Sequence, residues 1–187
     1  MNVPTLLTLL RIFLIPLFVV MFYIPTVWAA YTAAIIFLIA ALTDWLDGYL
    51  ARSWSQTSQL GAFLDPVADK LVIVMALVLL VAEYHSSYLA LPAAVIIARE
   101  IVVSALREWM AELGKRTTVA VNAMGKVKTV VQMVAILFML VARSHTTFFF
   151  KIVSFTGVFC LYVAAILTLW SMVIYLKAAW GEFRLRA

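Results

Sequence analysis

Four aspartates stand out because they interrupt an otherwise apolar sequence. Asp44, Asp47, Asp65 and Asp69 fall within 26 positions and make up four of the nine acidic residues of the chain. An ionised side chain inside a bilayer is costly, so its presence there favours a functional role. On a helix turning about 100° per residue, Asp44 shares a face with Asp47, and Asp65 shares a face with Asp69. The spacing therefore predicts two acidic pairs.

Such pairs suit metal binding. Two like-charged pairs facing each other would repel unless a cation lay between them. Residues 44–69 contain no histidine or cysteine, and ligand sets made only of oxygen suit Mg²⁺ or Mn²⁺ better than zinc. We therefore expect one or two divalent metal ions, bound by Asp44, Asp47, Asp65 and Asp69.

Residues between the two acidic pairs are suited to a phosphate ligand. Gly48 follows the first pair and Gly61 precedes the second, and a glycine lets a ligand approach the backbone closely. Arg52 lies one helical turn beyond Gly48 and carries a planar set of donors that fits phosphate. Acids for a metal beside an arginine for phosphate indicate a metal-bound pyrophosphate.

The composition defines the class of protein that must position these residues. The chain has 187 residues, of which 66% are hydrophobic and 12% are charged, whereas soluble domains carry about 25% charged residues. Residues 12–43 and 152–176 contain no charged side chain, and each run exceeds the roughly 20 residues that span a bilayer. This is typical of a polytopic membrane protein. The net charge of +5 favours anionic lipid headgroups over nucleic acid as a partner, because the basic residues lie in loops and at helix ends.

The pattern predicts an all-α fold with six transmembrane helices in one domain, residues 1–187. The predicted spans are 5–24, 27–52, a third beginning near 60, then 88–109, 120–141 and 149–177. The second and third form a hairpin that brings both acidic pairs to one membrane face. Every lysine and arginine except Arg143 and Lys151 falls on that side, so the positive-inside rule places both termini and the acidic site in the cytoplasm.

The acidic stretch also resembles a known family. It matches, position for position, the signature D-x2-D-G-x2-A-R-x8-G-x3-D-x3-D of the CDP-alcohol phosphotransferases, which are integral membrane enzymes. The resemblance implies two metal ions, bound chiefly by Asp44, Asp47 and Asp65. It implies that Asp69 takes the proton from the alcohol and also contacts a metal. The residues implied to hold the CDP moiety are Gly48, Ala51, Arg52 and Gly61. Members of the family are commonly homodimers.

Segments outside the signature bear on the acceptor alcohol. Residues 98–100, 105–112 and 125–129 are similar to those of bacterial inner-membrane members that use CDP-diacylglycerol and glycerol 3-phosphate and release CMP. A phosphorylated acceptor needs cations, and the candidates are Arg99, Lys126 and Lys128. Each could instead mark a membrane interface. Lys126 and Lys128 point roughly 160° apart on a regular helix, so both reach one pocket only if the helix is irregular there.

Alternatives remain at three points. Within the family, the acceptor could be inositol phosphate or serine. From another class, a divalent-cation transporter could line its pathway with acids, although transporter sites tend to lie at the midplane in broken helices of repeated halves. Finally, Arg11 either extends towards the lipid headgroups or, as the resemblance implies, lies near the nucleotide end of the site.

Overall fold

The structure is a computed structural model that describes residues 3–54, 59–112, 123–145 and 147–184. These residues form six α-helices, which confirms the all-α class. The helices are α1 Val3–Tyr23, α2 Val27–Trp54, α3 Gln59–Tyr84, α4 Ser87–Glu112, α5 Ala123–Ala142 and α6 Phe148–Arg184. Each predicted span coincides with one helix apart from a few residues at its ends, and α6 continues for seven residues beyond the span predicted to end at 177.

Short turns between the helices have local causes. After α1, the Thr26 hydroxyl accepts a hydrogen bond from the Ala29 amide at 3.3 Å, which caps the first turn of α2. After α3, His85 has a φ of 44°, the left-handed conformation that commonly ends a helix. The Ser86 carbonyl then accepts hydrogen bonds from the amides of Leu89 and Ala90. These turns reverse the chain within a few residues.

The helices consequently form a bundle with two ends of different character. We call one the turn end, because it contains the turns at 24–26, 85–86 and 143–145. There the Arg143 side chain donates to the Phe22 carbonyl at 2.6 Å, and the Tyr84 hydroxyl donates to the Met139 carbonyl at 3.1 Å. We call the opposite end the aspartate end. It contains the amino-terminal turns of α1, α3 and α5 and the carboxyl-terminal parts of α2, α4 and α6.

The larger of two apolar clusters among the described residues contains side chains from all six helices. Its fully buried members include Phe37 of α2, Leu77 and Leu80 of α3, Ile96 of α4, Ile136 and Met139 of α5 and Leu161 of α6. The contact between α5 and α6 depends on Gly157, because a Cβ atom there would lie 2.7 Å from Met139 Cγ and 3.1 Å from the Ala135 carbonyl oxygen.

The outer surface is apolar as well. Large side chains such as Trp28, Phe13, Phe155 and Trp170 are more than half exposed, which a water-soluble protein would not tolerate over so wide an area. Among the described residues, three segments are long and apolar enough to span a membrane: Leu6–Tyr23, Ser87–Ala111 and Phe148–Lys177. Shorter apolar segments occur in α2, at Val27–Thr43, and in α5, at Val127–Ala142. The protein is therefore a membrane protein.

Candidate active site

Two helices position the predicted metal ligands. Asp44 and Asp47 lie in the last three turns of α2, and Asp65 and Asp69 lie in the first three turns of α3. Both pairs therefore belong to the aspartate end. Most of the predicted signature side chains lie outside the part of the chain whose side chains the structure describes, namely Asp44, Asp47, Gly48, Ala51, Arg52, Gly61 and Asp65. Asp69 is described.

Asp69 forms an ion pair with Arg11 of α1. The Arg11 Nη1 atom donates to the Asp69 Oδ1 atom. The Arg11 side chain is only 1% exposed, whereas that of Asp69 is 36% exposed. The alternative that Arg11 extends towards the lipid headgroups is therefore wrong. The pair ties α1 to α3 at the aspartate end and puts a buried positive charge beside one of the four carboxylates.

The donor chemistry fits a hard divalent ion. Four carboxylates on two adjacent helix ends supply only oxygen, the atom that Mg²⁺ and Mn²⁺ prefer. One oxygen of Asp69 accepts from Arg11, and a carboxylate has a second oxygen to offer. No group of three metal-ligating side chains occurs among those that the structure describes, because three of the four predicted ligands lie outside that set. The metal site thus stays a prediction from the residue types and their helices.

A second charged group lies between α4 and α5. The Arg99 Nη1 atom donates to Glu100 Oε1 at 2.7 Å, and the Lys128 Nζ atom donates to the same oxygen at 2.9 Å. The side chains of Arg99 and Lys128 are 5% and 4% exposed. Two of the three candidate acceptor cations are therefore brought together, although they are 29 positions apart in the sequence. Their burial argues against a role as simple markers of a membrane interface.

Helix α6 completes this group with residues that the sequence reasoning missed. The Arg99 Nη2 atom lies 3.4 Å from the Ser171 hydroxyl, and the Arg107 Nη2 atom lies 3.4 Å from the Tyr175 hydroxyl. Both guanidinium groups also lie near the Tyr175 ring, at 5.9 Å and 5.6 Å from its centroid, in the range of cation–π attraction. A usable signal was present, because Ser171 and Tyr175 are polar residues one turn apart within an uncharged run.

We name Arg99, Glu100, Arg107, Lys128, Ser171 and Tyr175 the cation cluster. Its three cations exceed its one carboxylate, so the cluster can attract an anion. The Arg99 Nε atom is buried and has no hydrogen-bond partner among the described residues, which leaves a donor for a ligand. Lys126 also lies in α5, but its side chain falls outside the described set. That Lys126 also binds the acceptor phosphate stays a prediction.

Comparisons with known proteins identify the family of this chain. The family model for CDP-alcohol phosphatidyltransferase matches residues 1–177. The chain is 56% identical over 181 residues to the CDP-diacylglycerol--glycerol-3-phosphate 3-phosphatidyltransferase of Salmonella typhimurium, covering 97% of this chain and 96% of the relative. It is 56% identical over 178 residues to the protein of the same name from Escherichia coli K12, covering 95% and 94%. This chain belongs to the CDP-alcohol phosphatidyltransferase family.

Proposed function

We propose that this protein transfers the phosphatidyl group of CDP-diacylglycerol to sn-glycerol 3-phosphate, giving phosphatidylglycerophosphate and CMP in anionic phospholipid biosynthesis. The observation that carries the proposal is the 56% identity, over 97% of the chain, to relatives named for this reaction. The aspartate end supports it, because carboxylates suited to a metal-bound pyrophosphate and cations suited to a second phosphate lie at the same end of the bundle.

The aspartates bind the metal and activate the acceptor. Asp44, Asp47, Asp65 and Asp69 hold Mg²⁺ or Mn²⁺, expected as two ions, which when bound neutralise charge on the pyrophosphate. Asp69 also takes the proton from the attacking hydroxyl group. The acceptor oxygen forms a new bond to the phosphatidyl phosphorus, and the bond from that phosphorus to the CMP oxygen breaks. The electron pair of the broken bond leaves with CMP.

The remaining site residues hold the two substrates. Gly48, Ala51 and Gly61 let the CDP moiety approach α2 and α3 closely, and Arg52 donates to its phosphates. At the other side of the reaction, the acceptor phosphate binds to the cation cluster through Arg99 and Lys128, with Lys126 as a further candidate. Both cations are held by contacts between helices, so the acceptor site is formed before the substrate arrives.

We also propose a membrane arrangement, which the six helices, the distribution of charges and the family support. All six helices span the cytoplasmic (inner) membrane, residues 1–187 form one domain, and the protein functions as a homodimer. Both termini and the active site face the cytoplasm, where CMP is released.

Orientation can be tested without substrate. After replacement of Cys160, the single cysteine of the chain, a cysteine introduced at Ser55 or Gly114 should react with an impermeant thiol reagent only from the cytoplasmic side. One introduced at Ser87 should react only from the other side. The reverse labelling pattern would invert the orientation.

The reaction is tested by incubating the purified protein with CDP-diacylglycerol, Mg²⁺ and one acceptor at a time, and measuring CMP release. We expect release with glycerol 3-phosphate. Release with inositol phosphate or serine instead would keep the family and refute this acceptor. Mg²⁺ uptake into proteoliposomes without any CMP release would favour the transporter.

A further inference from the structure

Glu100 has an unusual place in the cation cluster, because it is the one carboxylate there and one of its oxygens accepts from two cations. The Oε1 atom lies 2.7 Å from Arg99 Nη1 and 2.9 Å from Lys128 Nζ. Its side chain is 21% exposed, more than the 5% and 4% of its two partners. Glu100 thus lies at the more accessible side of two buried cations.

The charges explain why a carboxylate is needed there. Two adjacent buried cations repel each other, and each loses hydration, so both would be costly without a counter-charge. Glu100 offsets that cost in the absence of substrate. It also accepts one N–H of Arg99 Nη1 and one of Lys128 Nζ, for which an incoming phosphate would compete.

We propose that Glu100 is a built-in counter-anion of the acceptor site, which holds Arg99 and Lys128 together and competes with the acceptor phosphate for them. This inference rests on the proposed function, which assigns the acceptor phosphate to these two cations. A dianionic phosphate attracts each cation more strongly than a carboxylate does, whereas a singly charged group has no such advantage. Glu100 therefore selects for doubly charged acceptors. It is a positioning and selectivity residue and does not contact the reacting atoms.

The test is Glu100→Gln, which removes the charge and keeps a side-chain oxygen to accept from Arg99 and Lys128. Because a repelling charge near the bound phosphate is lost, we expect the KM for glycerol 3-phosphate to fall about 5-fold or more. The inhibition constant of inorganic phosphate should fall with it. The KM for CDP-diacylglycerol should stay unchanged. A rise in the KM for glycerol 3-phosphate would show that Glu100 only supports the cations and would overturn the proposal.

Two controls make the result specific. Glu108→Gln removes the same charge from the same helix at an exposed position, and both KM values should stay at the parent level. Glu100→Asp keeps the charge, so it should not lower the KM for glycerol 3-phosphate. An equal fall in Glu108→Gln or Glu100→Asp would overturn the role of the Glu100 charge.

The proposed acceptor site has its own test, so the two failures are distinguishable. If Arg99→Ala and Lys128→Ala leave the KM for glycerol 3-phosphate unchanged, the acceptor site lies elsewhere and the proposed function of the cluster fails. If Arg99→Ala and Lys128→Ala raise that KM but Glu100→Gln does not lower it, the acceptor site stands and only the proposed role of Glu100 is refuted.

A measurement on the parent enzyme keeps the proposal testable if Glu100→Gln does not fold. Inhibition by the dianionic phosphonate analogue of glycerol 3-phosphate is compared with inhibition by glycerol 3-sulfate, which carries one charge. We expect the inhibition constant of the phosphonate to be lower than that of the sulfate by about 10-fold or more. Comparable inhibition by both compounds would overturn the selection for doubly charged acceptors.

Discussion

The two ends of the bundle use the same kinds of polar residue in different ways. At the turn end, Arg143 donates to the Phe22 carbonyl at 2.6 Å and lies 4.1 Å from the Phe22 ring centroid. His145 stacks on Phe150 with ring centroids 3.7 Å apart. At the aspartate end, Arg11 donates to Asp69 and Arg99 donates to Glu100. Among the described residues, Arg143 at the turn end thus contacts a backbone carbonyl and a ring, whereas Arg11 and Arg99 at the aspartate end pair with carboxylates.

We expect this difference to separate structural cations from functional ones. A backbone carbonyl is a fixed partner that no substrate replaces, so an arginine bound to it acts as a helix cap. A carboxylate partner can be shared with a metal or a phosphate, because both compete for the same charges. Substitutions at the aspartate end should therefore reduce activity while the protein stays folded. Substitutions at the turn end should reduce stability while the protein stays active.

The largest effect should come from loss of the metal. Excess EDTA should reduce CMP release to background, and Mg²⁺ or Mn²⁺ should restore it, because clustered carboxylates need a cation to hold a pyrophosphate. Asp65→Asn should reproduce the loss. Glu83→Gln, an exposed acid at the turn end of the same helix, serves as the control and should remain active. Full activity in excess EDTA would refute the metal site.

The next largest effect should come from Asp69. Asp69→Asn removes the proposed base but keeps an oxygen that can accept from Arg11, so we expect the side chain to keep its position. We expect kcat to fall about 10²- to 10⁴-fold, with less loss of metal and CDP-lipid binding than in Asp44→Asn. The measurement is the steady-state rate of CMP release at saturating substrates. A near-normal rate would mean that another group takes the proton.

A smaller effect should come from the cation cluster. Lys128→Ala or Arg99→Ala should raise the KM for glycerol 3-phosphate about 10-fold or more, because each removes a charge-assisted hydrogen bond. The KM for CDP-diacylglycerol should change little. Lys151→Ala, which removes an exposed cation near the turn end, is the matched control. If only Lys126→Ala raises the KM for glycerol 3-phosphate, the acceptor phosphate binds to Lys126 and not to Lys128.

The smallest effect on activity should come from Arg143. Arg143→Ala should leave both KM values unchanged and destabilise the protein by about 1.5–3 kcal/mol, because a charged hydrogen bond to the end of α1 is lost. The expected fall in the midpoint of thermal unfolding in detergent is roughly 3–12 °C. Arg143→Lys keeps the charge and should be affected less. If Arg143→Ala lost activity without losing stability, the proposed difference between the two ends would be refuted.

Local patterns explain how much of the fold was predictable. The uncharged runs, together with Pro25 and the polar turn at 83–87, gave six helices whose ends agree with the structure to within a few residues, apart from the end of α6. Helix α6 runs on to Arg184, since the edge of an apolar run marks a span and does not force a helix to stop. The predicted second and third spans also placed both acidic pairs correctly on α2 and α3.

The sequence by itself determined the membrane class, the helices, the aspartate pairs and the family, because each depends on residue types at short, fixed spacing. Only the tertiary structure decided which cations belong to which acids. Arg11 and Asp69 are 58 positions apart, and Lys128 and Glu100 are 28 apart, so no periodicity connects them. Ser171 and Tyr175 joined the cluster for the same reason, because a buried polar side chain takes its partner from whichever helix packs against it.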